Sequence, residues 1–151
     1  MTNITLALPE DAEAILSLQR LAYQSEARIY NDFEIPPLMQ TLSELEQEIA
    51  EKVVLKSLIG SEIVGSVRAY QERTICHIER LIVHPDWQRK GIATALMEQV
   101  ENRFADVEKF ELFTGDKSEG NIRLYQRLGY EIFKSEEINP NLSFVFMEKR
   151  R

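Results

Sequence analysis

The sequence has only one cysteine, Cys76, so an internal disulfide and a cysteine-based zinc site are excluded. It has no hydrophobic run close to the roughly 20 residues of a membrane span, and its first residues lack the basic segment of a signal peptide. It is also poor in positive charge, and the net charge of −7 argues against binding to nucleic acid or to an anionic membrane. We therefore expect a soluble cytoplasmic protein that uses no metal and binds neither nucleic acid nor membrane.

The 151 residues suit a single domain, 1–151, and an apolar content of 44% is ordinary for a globular protein. Apolar runs predict strands at residues 4–8, 53–59, 63–71, 74–83, 109–113, 130–135 and 142–148. Helices are predicted from Pro9, from the capping box at Thr41, over 92–104 and over 119–128. Residues 24–40, which contain two prolines, are predicted to be irregular. This order of elements indicates one mixed α+β sheet with helices on both faces.

Residues 81–96 combine an apolar strand, a turn and the start of an amphipathic helix. In the turn, Gly91 has no Cβ and Ala93 is small, so a ligand can approach the backbone closely. Free N–H groups at the helix start, together with Arg89 and Lys90, favour an anion such as a phosphate or pyrophosphate. Neither of the common glycine-rich nucleotide motifs is present. On spacing alone, the stretch could equally be a glycine-containing helix start with two solvated cations.

This stretch resembles the acetyl-CoA site of the GCN5-related N-acetyltransferases, the GNAT superfamily. The signature of that family is Gln/Arg-x-x-Gly-x-Gly/Ala, and Gln88, Gly91 and Ala93 fill its three fixed positions. The preceding segment, 81–85, is similar to the strand end that leads into the signature. Downstream, residues 121–130 (Asn-Ile-Arg-Leu-Tyr-Gln-Arg-Leu-Gly-Tyr) resemble the family's second motif. Both motifs occur with a helix and a strand between them, so the chain is identified as a member of the family.

The resemblance implies the GNAT fold, a mixed sheet of about seven strands in which two parallel central strands, 74–83 and 109–114, diverge. The strand–helix–strand order between them independently predicts a parallel pair. In the family, pantetheine lies in the gap between these strands and the pyrophosphate lies on the turn after the first one. The implied contacts of acetyl-CoA are Leu81, Ile82, Val83, Gln88, Arg89, Lys90, Gly91, Ile92, Ala93, Thr94, Asn121 and Tyr125.

The implied activity is N-acetyl transfer from acetyl-CoA to a primary amine, by direct transfer in a ternary complex, with a small amine as the expected acceptor. Two alternatives remain open at this point. One is a protein N-terminal or lysine acetyltransferase. The other is a non-catalytic, regulatory module that binds acyl-CoA.

Tyr125 is the residue that the resemblance implies as general acid, since a phenol can donate a proton to the leaving thiolate. Without the resemblance, a packed aromatic on an amphipathic helix is the simpler interpretation. A backbone N–H near Val83 is implied to polarise the thioester carbonyl. Asn121 is implied to bond pantetheine or to orient a water, and its alternative role is an N-terminal helix cap.

Glu79 and His77 are the candidate general bases. Strand alternation puts His77, Glu79, Leu81 and Val83 on one face, unless a bulge in the strand changes the parity. Glu79 matches a position at which many family members carry a glutamate that acts through water, and a histidine titrates near neutral pH. Both could also be an ordinary, partly exposed pair on a strand, or solvent could be the base. Cys76 points to the other face and is interpreted as a core residue.

The resemblance implies that two segments set the acceptor, residues 24–40 and 135–142. The first contains Glu26, which with neighbouring acids suits a cationic amine, although such acids could simply be solvated. The loop 114–120 is expected to be mobile because it contains Gly115 and Gly120. Residues 142–147 are apolar in both registers, so we expect an exposed final strand that a homodimer could cover.

Overall fold

A seven-stranded sheet forms the centre of the molecule in the computed structural model, which describes residues 3–151. Residues 1 and 2 lie outside this range. They are the first positions of the predicted domain and of the N-terminal stretch in which no signal peptide was expected. The strands are β1 Asn3–Leu6, β2 Val53–Ile59, β3 Glu62–Glu72, β4 Ile75–Val83, β5 Lys109–Gly115, β6 Glu131–Asn139 and β7 Leu142–Arg150. Their order across the sheet is β1-β2-β3-β4-β5-β7-β6, and only β4 and β5 are parallel.

Six α-helices connect and cover these strands in the part of the chain that the structure describes. They are α1 Ala12–Ala22, α2 Gln24–Tyr30, α3 Pro36–Met39, α4 Leu42–Glu51, α5 Ile92–Arg103 and α6 Glu119–Arg127. The predicted capping box at Thr41 is present, with the Thr41 side chain accepting from the backbone of Glu44 at 3.1 Å. Gly129, with φ +99°, follows the end of α6 as predicted. Within residues 3–151, no helix is long and apolar enough to cross a membrane.

Apolar residues pack on both faces of the sheet, which confirms the predicted α+β architecture. On one face, the four-residue repeat of Ile92, Leu96 and Val100 places α5 against the strands in the larger core. On the other face, α1 and α4 form a smaller core around Ile15 and Leu45. A site within the sheet is therefore covered by α5 on one face and by α1 and α4 on the other.

The segment 24–40 is more regular than predicted. Residues 24–30 form α2, a helix that Asn31 ends in the left-handed conformation with φ +49°. The prolines begin the short α3, where their missing N–H groups are tolerated in the first turn. The prediction of an irregular segment is therefore wrong for α2, because the prolines lie beyond it.

The final strand is not at the edge of the sheet. β7 lies between β5 and β6 and pairs with both, whereas β6 is the edge strand and is exposed throughout. The expectation of an exposed final strand is therefore wrong, because the sheet itself covers both of its edges. The sequence argument for a homodimer depended on an exposed final strand, so it no longer applies.

The two parallel strands separate after a short contact. β4 and β5 pair only at Ile75–Lys109, Cys76–Phe110 and His77–Glu111. Beyond these pairs, residues 78–83 and 112–115 have no strand partner on their facing edges within the described chain. The divergence that the resemblance implied is present, and it leaves a gap lined by free backbone groups.

Candidate functional site

A bulge in β4 shapes one wall of the gap. Ser66 lies opposite Ile82 and Arg68 opposite Glu79, so β4 has one residue more than β3 between these pairs. Arg80 takes up the extra residue in the left-handed conformation, with φ +53°. The bulge reverses the alternation beyond it.

This reversal corrects one sequence expectation. His77 and Glu79 lie on the sheet face that carries Arg68 and is covered by α1 and α4. Leu81 and Val83 pack against the α5 core on the opposite face. The four residues therefore do not share a face, as they would in a regular strand.

The turn after β4 leads directly into α5. Gly91 is the N-cap of α5 with φ +81°, and no side chain caps this helix start. Residues 88–91 are exposed, and a Cβ added at Gly91 would meet no atom within 4 Å. The first N–H groups of α5 are thus open to a ligand, and the positive end of the helix favours an anion there.

The side chain of Tyr125, in the last turn of α6, is almost fully buried, with 7% exposure. Burial raises the pKa of Tyr125 well above its ordinary value, and the nearby hydroxyl of Tyr23 and carboxylate of Glu26 raise it further. Tyr125 therefore remains protonated across the physiological pH range, as a hydrogen-bond donor must.

Asn121 does not cap α6. The N-cap is Ser118, and Asn121 is the third residue inside the helix. Its Nδ2 donates to Glu26 Oε1 at 3.0 Å and to Thr114 Oγ1 at 3.5 Å. The capping alternative for Asn121 is therefore wrong, and its amide faces α2. Asn121 lies four residues before Tyr125 in α6, so the two side chains are on the same side of that helix.

Glu26 is the centre of a hydrogen-bond chain between α2 and the start of α6. Ser118 Oγ donates to Glu26 Oε2 at 2.6 Å, and Tyr30 OH in turn lies 2.8 Å from Ser118 Oγ. The backbone N–H of Lys117 donates to Tyr30 OH at 3.0 Å. Together with the Asn121 contact, these hydrogen bonds connect α2 to the loop between β5 and α6, which was expected from the sequence to be mobile.

Gly115 has a packing role in that loop. A Cβ added at this position would collide with the hydroxyl and ring of Tyr30, so only glycine permits α2 to lie this close.

Sequence reasoning did not find Ser118, Tyr23 or Arg80, because none of them belongs to a local motif. Ser118 meets Glu26 and Tyr30 only when α2 folds back over the end of β5, and Tyr23 comes near Arg80 only when the end of α1 lies over β4.

The two candidate bases have different surroundings. Glu79 accepts from Lys52 Nζ at 2.6 Å, so its charge is compensated by α4. His77 stacks on Tyr70 with ring centroids 5.0 Å apart, and its Nε2 lies 3.7 Å from Glu72 Oε1. His77 also sits at the last β4–β5 pair, where the gap has not yet opened. Glu79, two residues farther along, is the better placed of the two.

Lys52 connects Glu79 to a buried polar network. Lys52 Nζ also donates to Glu48 Oε1 at 3.3 Å, and Arg68 donates to Glu48 Oε2 at 2.6 Å. Arg68, only 1% exposed, donates further to Gln19 and Gln40. The Arg68 and Lys52 cations hold the pKa of Glu48 below its usual value, although burial opposes them.

The two predicted acceptor segments meet in space. Tyr30, Asn31 and Asp32 line a cavity of about 280 Å³ together with residues 139–142 of the β6–β7 loop. A larger cavity, of about 640 Å³, lies between α1 and the β2–β3 hairpin and is lined by none of the predicted catalytic or cofactor-binding residues.

Cys76 is fully buried, and burial raises the pKa of its thiol to about 12. A thiol that stays protonated and enclosed is not a nucleophile. The interpretation of Cys76 as a core residue is confirmed by its position in the α5 core.

Comparison with known proteins agrees with this geometry. A family model described as the acetyltransferase (GNAT) domain matches residues 25–151. The UPF0157 protein YqkA of Bacillus subtilis (strain 168) is 32% identical over 123 residues, which make up 80% of this chain and 34% of YqkA. The chain thus spans little more than a third of the length of that relative.

Two further proteins share smaller similarities. Glucosamine 6-phosphate N-acetyltransferase of Schizosaccharomyces pombe (strain 972 / ATCC 24843) is 29% identical over 84 residues, covering 51% of this chain and 75% of the relative. The crystal structure of PaiA N-acetyltransferase from Thermoplasma acidophilum in complex with coenzyme A has a TM-score of 0.82 at 16% identity, covering 100% of this chain and 99% of that one. At this identity, the structural similarity shows the fold.

Proposed function

Since the chain belongs to the GNAT acetyltransferase family, we propose that it transfers an acetyl group from acetyl-CoA directly to a small primary amine. The observation that carries this proposal is the gap between β4 and β5, which opens beyond the His77–Glu111 pair. One end of the gap leads to the uncapped start of α5, and Tyr125 lies on α6, the helix that follows β5.

The residues of the gap suit acetyl-CoA. Free backbone groups of 81–83 can pair with the amides of pantetheine, as a missing strand would. The pyrophosphate suits the open N–H groups of the α5 start, with Arg89 and Lys90 adding positive charge. The proposed contacts of this turn are Gln88, Arg89, Lys90, Gly91, Ile92, Ala93 and Thr94. Asn121 and Tyr125 are the proposed contacts from α6.

The reaction forms a C–N bond and breaks a C–S bond. A neutral amine attacks the thioester carbonyl, and a backbone N–H near Val83 stabilises the negative charge that develops on the carbonyl oxygen. The thiolate then leaves, and the nitrogen loses a proton to a base or to water. Tyr125 donates a hydrogen bond to the departing sulfur.

The raised pKa of Tyr125 defines its role more sharply than general acid catalysis alone. A free phenol has a pKa of about 10 and a thiol about 8.5, so complete proton transfer from Tyr125 to the thiolate is unfavourable even before the shift. The additional increase caused by burial widens this difference. We therefore assign Tyr125 the stabilisation of the developing thiolate by a hydrogen bond. The proton that the thiolate takes up to become a thiol is balanced by the proton that the attacking nitrogen loses.

Glu79 is the proposed route for that nitrogen proton, through an intervening water. Its ion pair with Lys52 holds the carboxylate in place at the start of the gap. His77 is the second candidate. A pH–rate profile of Glu79→Gln against His77→Ala decides between them, because only the variant that lacks the base loses the rise in rate that follows deprotonation of that base at low pH.

The acceptor segments meet around a cavity of about 280 Å³, a volume that suits a small acceptor, although none of the predicted catalytic residues lines it. Glucosamine 6-phosphate N-acetyltransferase, whose name indicates a small amino sugar, supports the same class. An extended protein substrate would require an open groove across the two segments.

The test is a panel of primary amines incubated with acetyl-CoA, with release of the CoA thiol followed by a thiol reagent and the acetylated amine identified by mass spectrometry. The single, buried Cys76 gives little background in this assay. We expect thiol release that depends on the amine. Binding of acetyl-CoA without thiol release from any amine or peptide would instead establish the non-catalytic alternative.

A further inference from the structure

Glu26 differs from most partly buried carboxylates of this protein. Glu48, Glu79 and Glu148 each lie within 4.0 Å of a lysine or arginine nitrogen. No such ion pair involves Glu26 among residues 3–151, although its side chain is also partly buried. A carboxylate removed from water is stable only when hydrogen bonds or a cation compensate its charge.

Two hydrogen bonds hold Glu26 in place without using all of its capacity. Ser118 donates to Oε2 at 2.6 Å, and Asn121 donates to Oε1 at 3.0 Å. Two carboxylate oxygens offer about four acceptor positions, so roughly two remain for a ligand. The donors fix the carboxylate on the side of α2 that faces α6, the helix of Tyr125.

We propose that Glu26 is the carboxylate that binds the acceptor's amino group and places it beside Tyr125, and that it selects amines that arrive as ammonium ions. This inference rests on the proposed transfer to an amine. Alkylamines are protonated at neutral pH, so an ammonium group brings the cation that Glu26 lacks within the described chain. Its N–H groups also match the remaining acceptor positions of the carboxylate.

The electrostatic influence of Glu26 supports this placement. Burial is the main cause of the raised pKa of the Tyr23, Tyr30 and Tyr125 hydroxyls, and the charge of Glu26 adds to the increase in each of them. The same charge therefore reaches the hydroxyl assigned to the departing sulfur. An ammonium group that neutralises Glu26 would sit among these tyrosines, and it gives up its excess proton to the base or to water before it attacks the thioester.

Glu26→Gln tests the proposal, because glutamine keeps the shape and one accepting oxygen but removes the charge. We expect the KM of an alkylamine acceptor to rise about 10- to 100-fold, as expected for the loss of a hydrogen bond to a charged group. The affinity for CoA should stay within about twofold. Glu119→Gln, an exposed acid two residues from Asn121, is the matched control and should leave KM unchanged.

Two further measurements separate recognition from a merely structural tie. Trifluoroethylamine is largely neutral at pH 7, so the Glu26→Gln penalty should be smaller for it than for ethylamine. A structural tie predicts equal penalties for both amines, accompanied by a lower Tm. Equal penalties, or an unchanged KM for ethylamine, would overturn the proposal.

Binding of ethylamine to the CoA-saturated protein, measured by calorimetry, needs no turnover. Weaker binding to Glu26→Gln than to wild type supports the role of Glu26 even if no acetyl transfer is found, in which case only the proposed function fails. Equal binding to both proteins, or no binding to wild type, contradicts the proposal for Glu26 itself.

Discussion

Replacement of Glu48 by glutamine should destabilise the protein more than any change of a surface carboxylate. Glu48 Oε2 is 2.6 Å from Nη1 of Arg68, whose side chain is only 1% exposed. Glutamine has the same shape, so the substitution removes the negative charge without opening a cavity. The Arg68 cation then remains buried with neutral acceptors alone, namely the oxygens of Gln19, Gln40 and the introduced glutamine.

The magnitude follows from the burial of this pair. Removing one member of a buried ion pair costs about 3–5 kcal/mol, because the other charge is left uncompensated. Glu48 itself is 21% exposed, which lets water approach Arg68. We therefore expect the lower end, about 3 kcal/mol. For a chain of this length, that corresponds to a Tm lower by about 6–12 °C.

The double variant Glu48→Gln with Arg68→Met tests the electrostatic cause. It removes both charges, so it should be more stable than Glu48→Gln alone, despite the lost hydrogen bonds of Gln19. Chemical denaturation can be followed by the fluorescence of Trp87, the single tryptophan, which is partly buried. A loss below about 1 kcal/mol for Glu48→Gln, the range of exposed ion pairs, or a double variant no better than the single one, would refute the reasoning.

The pH dependence gives a second, independent check. The pKa of Glu48 is lowered in the folded protein from its ordinary value of 4.5. A lowered carboxyl pKa adds stability that is fully present above the unfolded value and is lost as pH falls through the folded value. Wild type should therefore lose stability below pH 4.5 more steeply than Glu48→Gln, which has no proton to gain at this position.

Gly115→Ala should destabilise the protein by about 1–3 kcal/mol through overpacking against Tyr30. Gly120→Ala, where an added Cβ meets open space, should be neutral or stabilise the protein by about 0.5 kcal/mol. Comparable denaturation midpoints for the two variants would contradict the packing role of Gly115. Tyr125→Phe should lower kcat roughly 100-fold with little change in CoA affinity, measured by thiol release and calorimetry; an unchanged kcat would remove the assignment. Cys76 should resist a thiol reagent at pH 8 until the protein unfolds, because burial raises its pKa to about 12; prompt labelling of the folded protein would disprove it.

Most helices and strands could be predicted because their signals are local. The four-residue spacing in α5 and the capping box at Thr41 each involve residues within a few turns of one another. The strand order was not predictable in this way. An apolar segment such as 142–147 indicates burial, but it does not say whether the sheet or another subunit provides the cover.

The bulge in β4 shows the same limit at the scale of one residue. Arginine is not a residue that signals a left-handed conformation, yet Arg80 adopts it and reverses the faces beyond it. Alternation therefore grouped Glu79 with Leu81, and the structure separates them. In the candidate site, the prediction of Gln88 and Gly91 rests on a resemblance within one short motif, whereas the Glu26–Ser118 contact joins residues 92 positions apart.

The segment between β1 and β2 supports both of the strands that diverge. On the β4 side, Lys52, at the C-terminal end of α4, binds Glu79. On the β5 side, Glu26 of α2 binds Ser118 and Asn121, just after the strand ends. Strands that separate forgo ladder hydrogen bonds, and these polar contacts replace part of the lost support. The segment proposed to select the acceptor, 24–40, therefore also stabilises the β5 side of the gap. Exchanges on α2 that change the acceptor should keep Tyr30 and its bond to Ser118, or they will lower stability together with activity.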